Sequence, residues 1–258
     1  MKTYFKLELK RALLSWRTII SMIAVIIVLS IPYLMKIKQP SMYMDGTSYF
    51  IEIYQRSYIG IISPVIIGLI YSTSIVKDIE SGFFSKLLKV IDVKTYYKVK
   101  LIVNSIITFA IFAVSHGILI LHLIVRFGIK YSDDKGMSIG TFSNIYHNSK
   151  IAYVMLVILF VSISAAAFST FVLGITTAFG KKIIAYLFPA FYIVITSIIF
   201  GSFSLNRVFN FDITRLFNLN YGAKPLNIII YDLILTTIGL FLIYKYGYKK
   251  EISPCPQS

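Results

Sequence analysis

Six stretches of this 258-residue chain are apolar over lengths that match a lipid bilayer. They run from Thr18 to Leu34, Tyr58 to Val76, Leu101 to Val125, Ile151 to Phe179, Ile183 to Phe203 and Leu226 to Tyr244. A hydrocarbon core of roughly 30 Å takes about 20 helical residues to cross. No water in it satisfies a stray N–H or carbonyl, so a crossing segment must close its hydrogen bonds within itself or in a closed barrel. The runs lack the alternating polarity of barrel strands, which leaves the helix. Gly60, Pro64, Gly68, Gly174 and Pro189 would damage soluble helices, but membrane-spanning helices tolerate such residues. The expected fold is an all-α integral membrane protein, one domain of six spans over residues 1–258. Composition agrees: 57% of residues are hydrophobic and 14% charged, against about 25% charged in ordinary soluble domains.

A net charge of +15 would point to nucleic acid in a soluble protein. Here the basic residues flank the apolar runs instead of forming a patch, so they read as membrane anchors and topology signals, and no nucleic-acid partner is expected. Counted on alternate sides, 16 of the 26 Lys and Arg residues fall at the two ends, in Lys77 to Lys100 and in Gly180 to Lys182; the other three loops hold 10. The positive-inside rule then puts both termini in the cytoplasm. Met35 to Ser57, Arg126 to Lys150 and Gly201 to Pro225 fall outside. Met1 to Arg17 is too long and basic for a cleavable signal. As a helix it gathers Phe5, Leu9, Ala12, Leu13 and Trp16 on one side, as an interfacial helix does. The loop GSFSLNRVFNFDITRLFNLNYGAKP mixes Phe203, Leu205, Val208, Phe209, Phe211, Leu216 and Phe217 with polar residues. It reads either as an aromatic interfacial loop or as a short re-entrant element.

The residues for chemistry are sparse. GITTAFGKK, Gly174 to Lys182, resembles a phosphate-binding loop only superficially: its glycines are one residue too far apart, and Lys182 stands where a magnesium-binding Ser or Thr belongs. No paired carboxylates, metal triad or nucleophile with a base converge within the spans, so no catalytic or metal residues are assigned. His116 and His122 lie in the third span and His147 in an outer loop. His116, near mid-span, reads as a neutral histidine bonded to a neighbouring helix or as a proton-relay or cargo contact. Asp232, near the outer end of the sixth span, reads as snorkelling or as pairing with Arg207 or Arg215. SISAAAFST, Ser162 to Thr170, supplies small residues for close helix packing. The lone Cys255 cannot form an intrachain disulfide.

The most informative stretch is KDIESGFFSKLLKVIDVKTYYKVK, Lys77 to Lys100. Gly82 can end the second span, after which Phe83, Leu87 and Ile91 recur at i, i+4 and i+8 with Phe84 and Leu88 beside them. That pattern predicts a short amphipathic helix lying across the membrane, suited to a partner's groove or to the lipid surface.

An acidic residue, three residues, a glycine, an apolar helix and a lysine entering the third span resemble the permease subunits of ABC-2 type ABC exporters. The matching residues are Asp78, Gly82, Leu87 with Leu88, and Lys100, with Glu80 as a second acid. Where the family often has proline after the helix, this chain has Val90 and Ile91. The resemblance implies a six-span bacterial exporter subunit in the cell membrane, with an N-terminal interfacial helix. It implies a coupling helix that docks on a separate ATPase chain through Asp78, Glu80, Gly82, Phe83, Phe84, Leu87, Leu88 and Ile91. No cofactor is expected on this chain, with ATP and magnesium on the ATPase, and a second permease chain completes the transport path. Pro64, Gly68, His116 and Pro189 are candidates to line that path. Small permeases of this kind often export amphipathic peptides such as toxins and bacteriocins; lipid, drug and polysaccharide remain alternatives. A secondary transporter driven by an ion gradient is the rival reading, supported by Asp232 alone.

The charge asymmetry generates a direct test. With Cys255 removed, Ser138→Cys is expected to react with a membrane-impermeant thiol reagent on intact cells and Ser85→Cys is not; the reverse pattern inverts the topology.

Overall fold

The computed structural model describes residues 2–36, 45–129, 141–202, 211–219 and 224–248. Among these residues there are helices and no strands. Six segments are long and apolar enough to cross a membrane: Trp16–Met35, Ile59–Glu80, Val93–Phe127, Lys150–Phe179, Lys182–Ile199 and Pro225–Tyr248. They coincide with the six apolar runs of the sequence.

The chain starts with α1 (Lys2–Leu13) and turns into the first long helix, α2 (Trp16–Lys36). The second long segment is broken into α4 (Ile59–Ile70) and α5 (Ser74–Glu80), whereas the sequence suggested one run to Val76. At the break Tyr71 leaves helical geometry, with φ −134° and ψ −4°. Hydroxyls take up the backbone and side-chain polarity there: Ser72 Oγ donates to the Ile67 carbonyl at 3.4 Å, and Thr73 Oγ1 accepts from Arg17 at 2.6 Å. After the five-residue α6 (Phe83–Leu87), helix α7 (Val93–Phe127) begins well ahead of Leu101, where the apolar run starts. Its N-cap explains why: the Asp92 carboxylate accepts from Thr95 N at 2.9 Å and so satisfies one of the unpaired N–H groups of the first turn. The hydrogen bonds from Thr95 hold the exposed Asp92 carboxyl below its ordinary range.

Two segments expected as outer loops contribute to the interior. Residues 46–54 of α3 (Gly46–Arg56) are all buried, and this helix packs on α2, α7 and α9 (Lys150–Phe179). A helix end buried this way needs its own cap. Asp45 supplies it, accepting from Ser48 N at 2.7 Å and Thr47 Oγ1 at 2.9 Å, while Lys150 Nζ lies 3.7 Å away. After α8 (Ser143–Asn148), α9 and α10 (Lys182–Ser202) comes α11 (Thr214–Phe217). Around it Ile213, Leu216, Phe217 and Leu219 are buried. Tyr54 Oη donates to the Phe217 carbonyl at 2.5 Å, and the Phe217 ring lies 6.0 Å from that of Phe112. Residues 211–219 therefore enter the bundle instead of coating its surface; Phe203, Leu205, Arg207, Val208 and Phe209 lie outside the described residues.

The axis of the bundle is α9, which touches α7, α10, α4 and α12 (Pro225–Leu242). Its small residues do what the sequence suggests: Ser162, Ser164, Ala165, Ala167, Ser169 and Thr170 are buried. Where α9 crosses α12, the backbones nearly touch. A Cβ on Gly174 would lie 2.6 Å from the Gly239 carbonyl oxygen, and one on Gly239 would lie 2.6 Å from that of Thr170. Side-chain bonds reinforce the seam, with Ser164 Oγ donating to Asp232 Oδ2 at 2.8 Å. Asp232 is thus buried against Ser164 and neither snorkels nor pairs with Arg215, because α9 offers a hydroxyl at its own depth.

Overpacking a fitted interior costs about 1–3 kcal/mol and occasionally more, so Gly174→Leu is expected to lower the unfolding temperature of the purified protein markedly. Gly117→Leu, at a glycine whose added Cβ would meet open space, is expected to leave it unchanged.

Candidate functional site

The charged residues that the sequence scatters along α1, α5 and α7 meet in one buried cluster. Lys100 is fully buried, as is Asp78, and Glu8 is only 3% exposed. Lys100 Nζ lies 2.5 Å from Glu8 Oε1 and 2.6 Å from Asp78 Oδ2. Arg11 reaches Asp78 Oδ1 at 2.9 Å and Glu8 Oε2 at 3.6 Å. Two carboxylates thus face two cations, and the cluster is neutral as a whole. Tyrosines complete its hydrogen bonds: Tyr96 Oη donates to Asp78 Oδ2 at 3.0 Å, Tyr71 Oη donates to Glu8, and Lys100 Nζ donates to Tyr71 Oη at 3.3 Å. The Lys100 ammonium also sits 5.4 and 5.5 Å from the centres of the Tyr71 and Tyr96 rings.

Electrostatics follow the geometry. Burial disfavours the charged Arg11 guanidinium, but the Asp78 and Glu8 carboxylates outweigh it and raise its pKa further. Burial, then the charges of Glu8 and Asp78, push the Tyr4 hydroxyl above its ordinary value, so a tyrosinate is disfavoured next to two carboxylates.

This cluster carries the loop helix. Gly82 occupies the left-handed region at φ 69°, which a glycine adopts without steric cost, and the chain turns there from α5 into α6. Phe84 is buried, its ring 4.8 Å from that of Tyr96 and 6.2 Å from that of Tyr97. Phe83 lies under Arg11, 5.3 Å from the guanidinium carbon. Glu80 is paired with Lys182 at the start of α10.

The expected stripe of Phe83, Leu87 and Ile91 is corrected by these contacts. The helix ends at Leu87, because the chain must turn through residues 88–91 to reach the Asp92 cap. Leu87, Leu88 and Ile91 are half-buried against the core, and the apolar side chains left exposed here are Ile79, Phe83 and Val90. Helix α1 buries Tyr4, Glu8 and Ala12, with Phe5 and Leu9 partly packed against the core; Leu13 at its end and Trp16 at the start of α2 are exposed. Glu8 and Arg11 were not singled out in the sequence. The available signal was that Glu8 is the sole acidic residue of the basic first 17 and falls one helical turn from both Tyr4 and Ala12.

The residues considered for a transport path occupy two places. Pro64 and Gly68 are buried on α4, and a Cβ on Gly68 would lie 2.9 Å from Pro189 Cγ on α10. A path along them requires α4 and α10 to part. His116 stands elsewhere, fully buried on α7. Its Nδ1 donates to the Phe112 carbonyl of its own helix at 2.7 Å, and its ring lies edge-on to Tyr54 of α3 at 5.9 Å. Among the described residues no three His, Cys, Asp or Glu side chains group as a metal site would require.

No protein-family model, curated protein or solved structure matches this chain. The resemblance to exporter permeases accordingly rests on its own residues.

Removing one member of a buried ion pair costs about 3–5 kcal/mol because its partner is left uncompensated. Lys100→Met is therefore expected to destabilise the purified protein by about that amount, read by thermal or denaturant unfolding. Glu8→Gln combined with Lys100→Met, which leaves Arg11 against Asp78, is expected to recover part of the loss. Equal stability of Lys100→Met and the parent would mean the cluster holds nothing together.

Proposed function

We propose that this chain is the membrane-spanning subunit of an ATP-driven bacterial exporter of the ABC-2 type, energised by an ATPase on a separate chain. The observation that carries the proposal is the seating of α6. A five-residue helix at the end of the bundle lies between α5 and α7, which contribute Asp78, Tyr96 and Lys100 to the buried charge cluster, and it is braced by Arg11 from α1. A force applied to α6 from outside the membrane is passed directly to three helices of the bundle. Ile79, Phe83 and Val90, exposed on the same short stretch, offer a partner an apolar contact, while Asp78 acts from beneath it by fixing the helix.

In this reading both termini and α6 face the cytoplasm, α1 is the interfacial helix, and a second permease chain supplies the other half of the path. ATP and magnesium belong to the ATPase. The cargo is an amphipathic peptide, whose apolar face suits the aromatic and aliphatic surface of the spans and whose charges stay near the aqueous ends. An ion-gradient transporter would need ionisable groups open to a path; Asp232 is instead buried against Ser164 of α9, and His116 is buried and bonded to the Phe112 carbonyl of its own helix.

Copurification tests the proposal. The detergent-extracted chain is expected to bring down an ATPase whose hydrolysis rises with added amphipathic peptide. Burial of one large apolar side chain is worth about 1.5–3 kcal/mol, so Phe83→Asp or Val90→Asp is expected to weaken that association about ten- to a hundredfold. Membrane insertion should be unaffected. If the parent chain carries no ATPase, or both variants retain it fully, the exporter reading fails; stimulation by lipids or sugars alone would change only the cargo.

A further inference from the structure

The bend between α1 and α2 encloses a cavity lined by Glu8, Arg11, Ser15, Arg17, Thr73 and Lys77, among others. Its cations outnumber the acids that answer them. Arg11 is matched by Asp78 and Glu8, and Lys182 nearby is matched by Glu80. Arg17 and Lys77 have no carboxylate at ion-pair distance among the described residues. Arg17 is nevertheless held in place, donating to Thr73 Oγ1 at 2.6 Å with its guanidinium 5.6 Å from the Tyr186 ring of α10. Arg17, Lys182 and Arg11 all stand close enough to Lys77 to repel its ammonium, with the Asp78 carboxylate drawing it the other way. The Ser74 hydroxyl lies in the same wall, buried beside Tyr71.

Fixed cations crowded around a recess repel one another, and an oxyanion bound among them relieves that cost. The surroundings favour one kind of oxyanion. The cavity lies where α2 starts, next to Trp16 and Leu14, 74% and 70% exposed, and exposed tryptophan at the end of a span belongs at headgroup level. We propose that this cavity binds a phosphate group, carried by an anionic phospholipid headgroup or by a free phosphate ion. The ammonium of Lys77, the guanidinium of Arg17 and the Ser74 hydroxyl supply the donors. The site is independent of the exporter reading, since it requires neither an ATPase nor a cargo.

Trp16 is the chain's sole tryptophan and adjoins Arg17, so its fluorescence reports on the cavity. The delipidated full-length protein in nonionic detergent is titrated at constant ionic strength with phosphatidylglycerol, phosphatidylcholine and inorganic phosphate. Saturable binding of phosphatidylglycerol, tighter than phosphatidylcholine, is the expected result. Each basic residue near a membrane surface contributes about 1 kcal/mol, so Lys77→Gln is expected to weaken binding about fivefold and Arg17→Gln with Lys77→Gln about thirtyfold. Lys77 makes no ion pair or hydrogen bond whose loss would unfold the chain, and Lys94→Gln, an exposed lysine outside the cavity, is the control. Lys77-dependent binding of phosphatidylglycerol but not inorganic phosphate identifies a lipid site, and binding of inorganic phosphate with the same dependence identifies an ion site. No saturable binding of either, or Lys77→Gln indistinguishable from Lys94→Gln, overturns the proposal.

Discussion

An ammonium taken out of water costs several kcal/mol unless opposite charge and hydrogen bonds surround it, and Lys100 is buried completely. Much of the architecture at this end of the bundle answers that one demand. Lys100 belongs to α7, but its two carboxylates come from α1 and α5, so both helices must dock against α7 for the buried ammonium to be satisfied. The break at residues 71–73 brings the Tyr71 hydroxyl onto Glu8 and within 3.3 Å of Lys100. Arg11, still half-exposed, balances the second carboxylate and covers Phe83. The position of α6 is thus a consequence of electrostatic closure as much as of its own apolar residues.

Deeper in the bundle the same logic runs on neutral groups. Asn104 Nδ2 donates to Ser169 Oγ at 3.0 Å, and Ser105 shares a hydrogen bond of 3.2 Å with Thr170, tying α7 to α9. Ser164 ties α9 to α12 through Asp232. Where surrounding lipid is as apolar as the side chains, burial of hydrocarbon gives helices little reason to prefer each other. Small residues that let backbones approach, and hydroxyls that bond across the gap, then decide which helices become neighbours. The residues that do this are concentrated on α9, which is why it forms the axis.

The six long apolar helices were legible because hydrocarbon thickness imposes length and composition together on a segment able to cross it, and no tertiary contact is needed to read them. Gly82 as a turn and the small-residue face of α9 were legible for similarly local reasons. The rest depended on partners far apart in sequence. Glu8 looked like one acid on a basic surface helix because its meaning lies 92 positions away at Lys100. The periodicity of Phe83, Leu87 and Ile91 is real, but the Asp92 cap starts a new helix before it can be used. The buried α3 was invisible to hydropathy, since Asp45, Thr47, Ser48 and Glu52 make its segment look like a loop. Their side chains satisfy each other, the backbone and neighbouring helices only after the fold has formed.

That separation between Glu8 and Lys100 also sets an order of assembly. In chain order α1 is followed by two long apolar segments, and Lys100 comes only on the third, 92 positions after Glu8. Until α7 is in place Glu8 is answered only by Arg11 and the Tyr71 hydroxyl, and α1 lacks the ammonium that holds it against the bundle. Its docking closes the N-terminal half of the bundle retrospectively, once the third long helix delivers the missing charge.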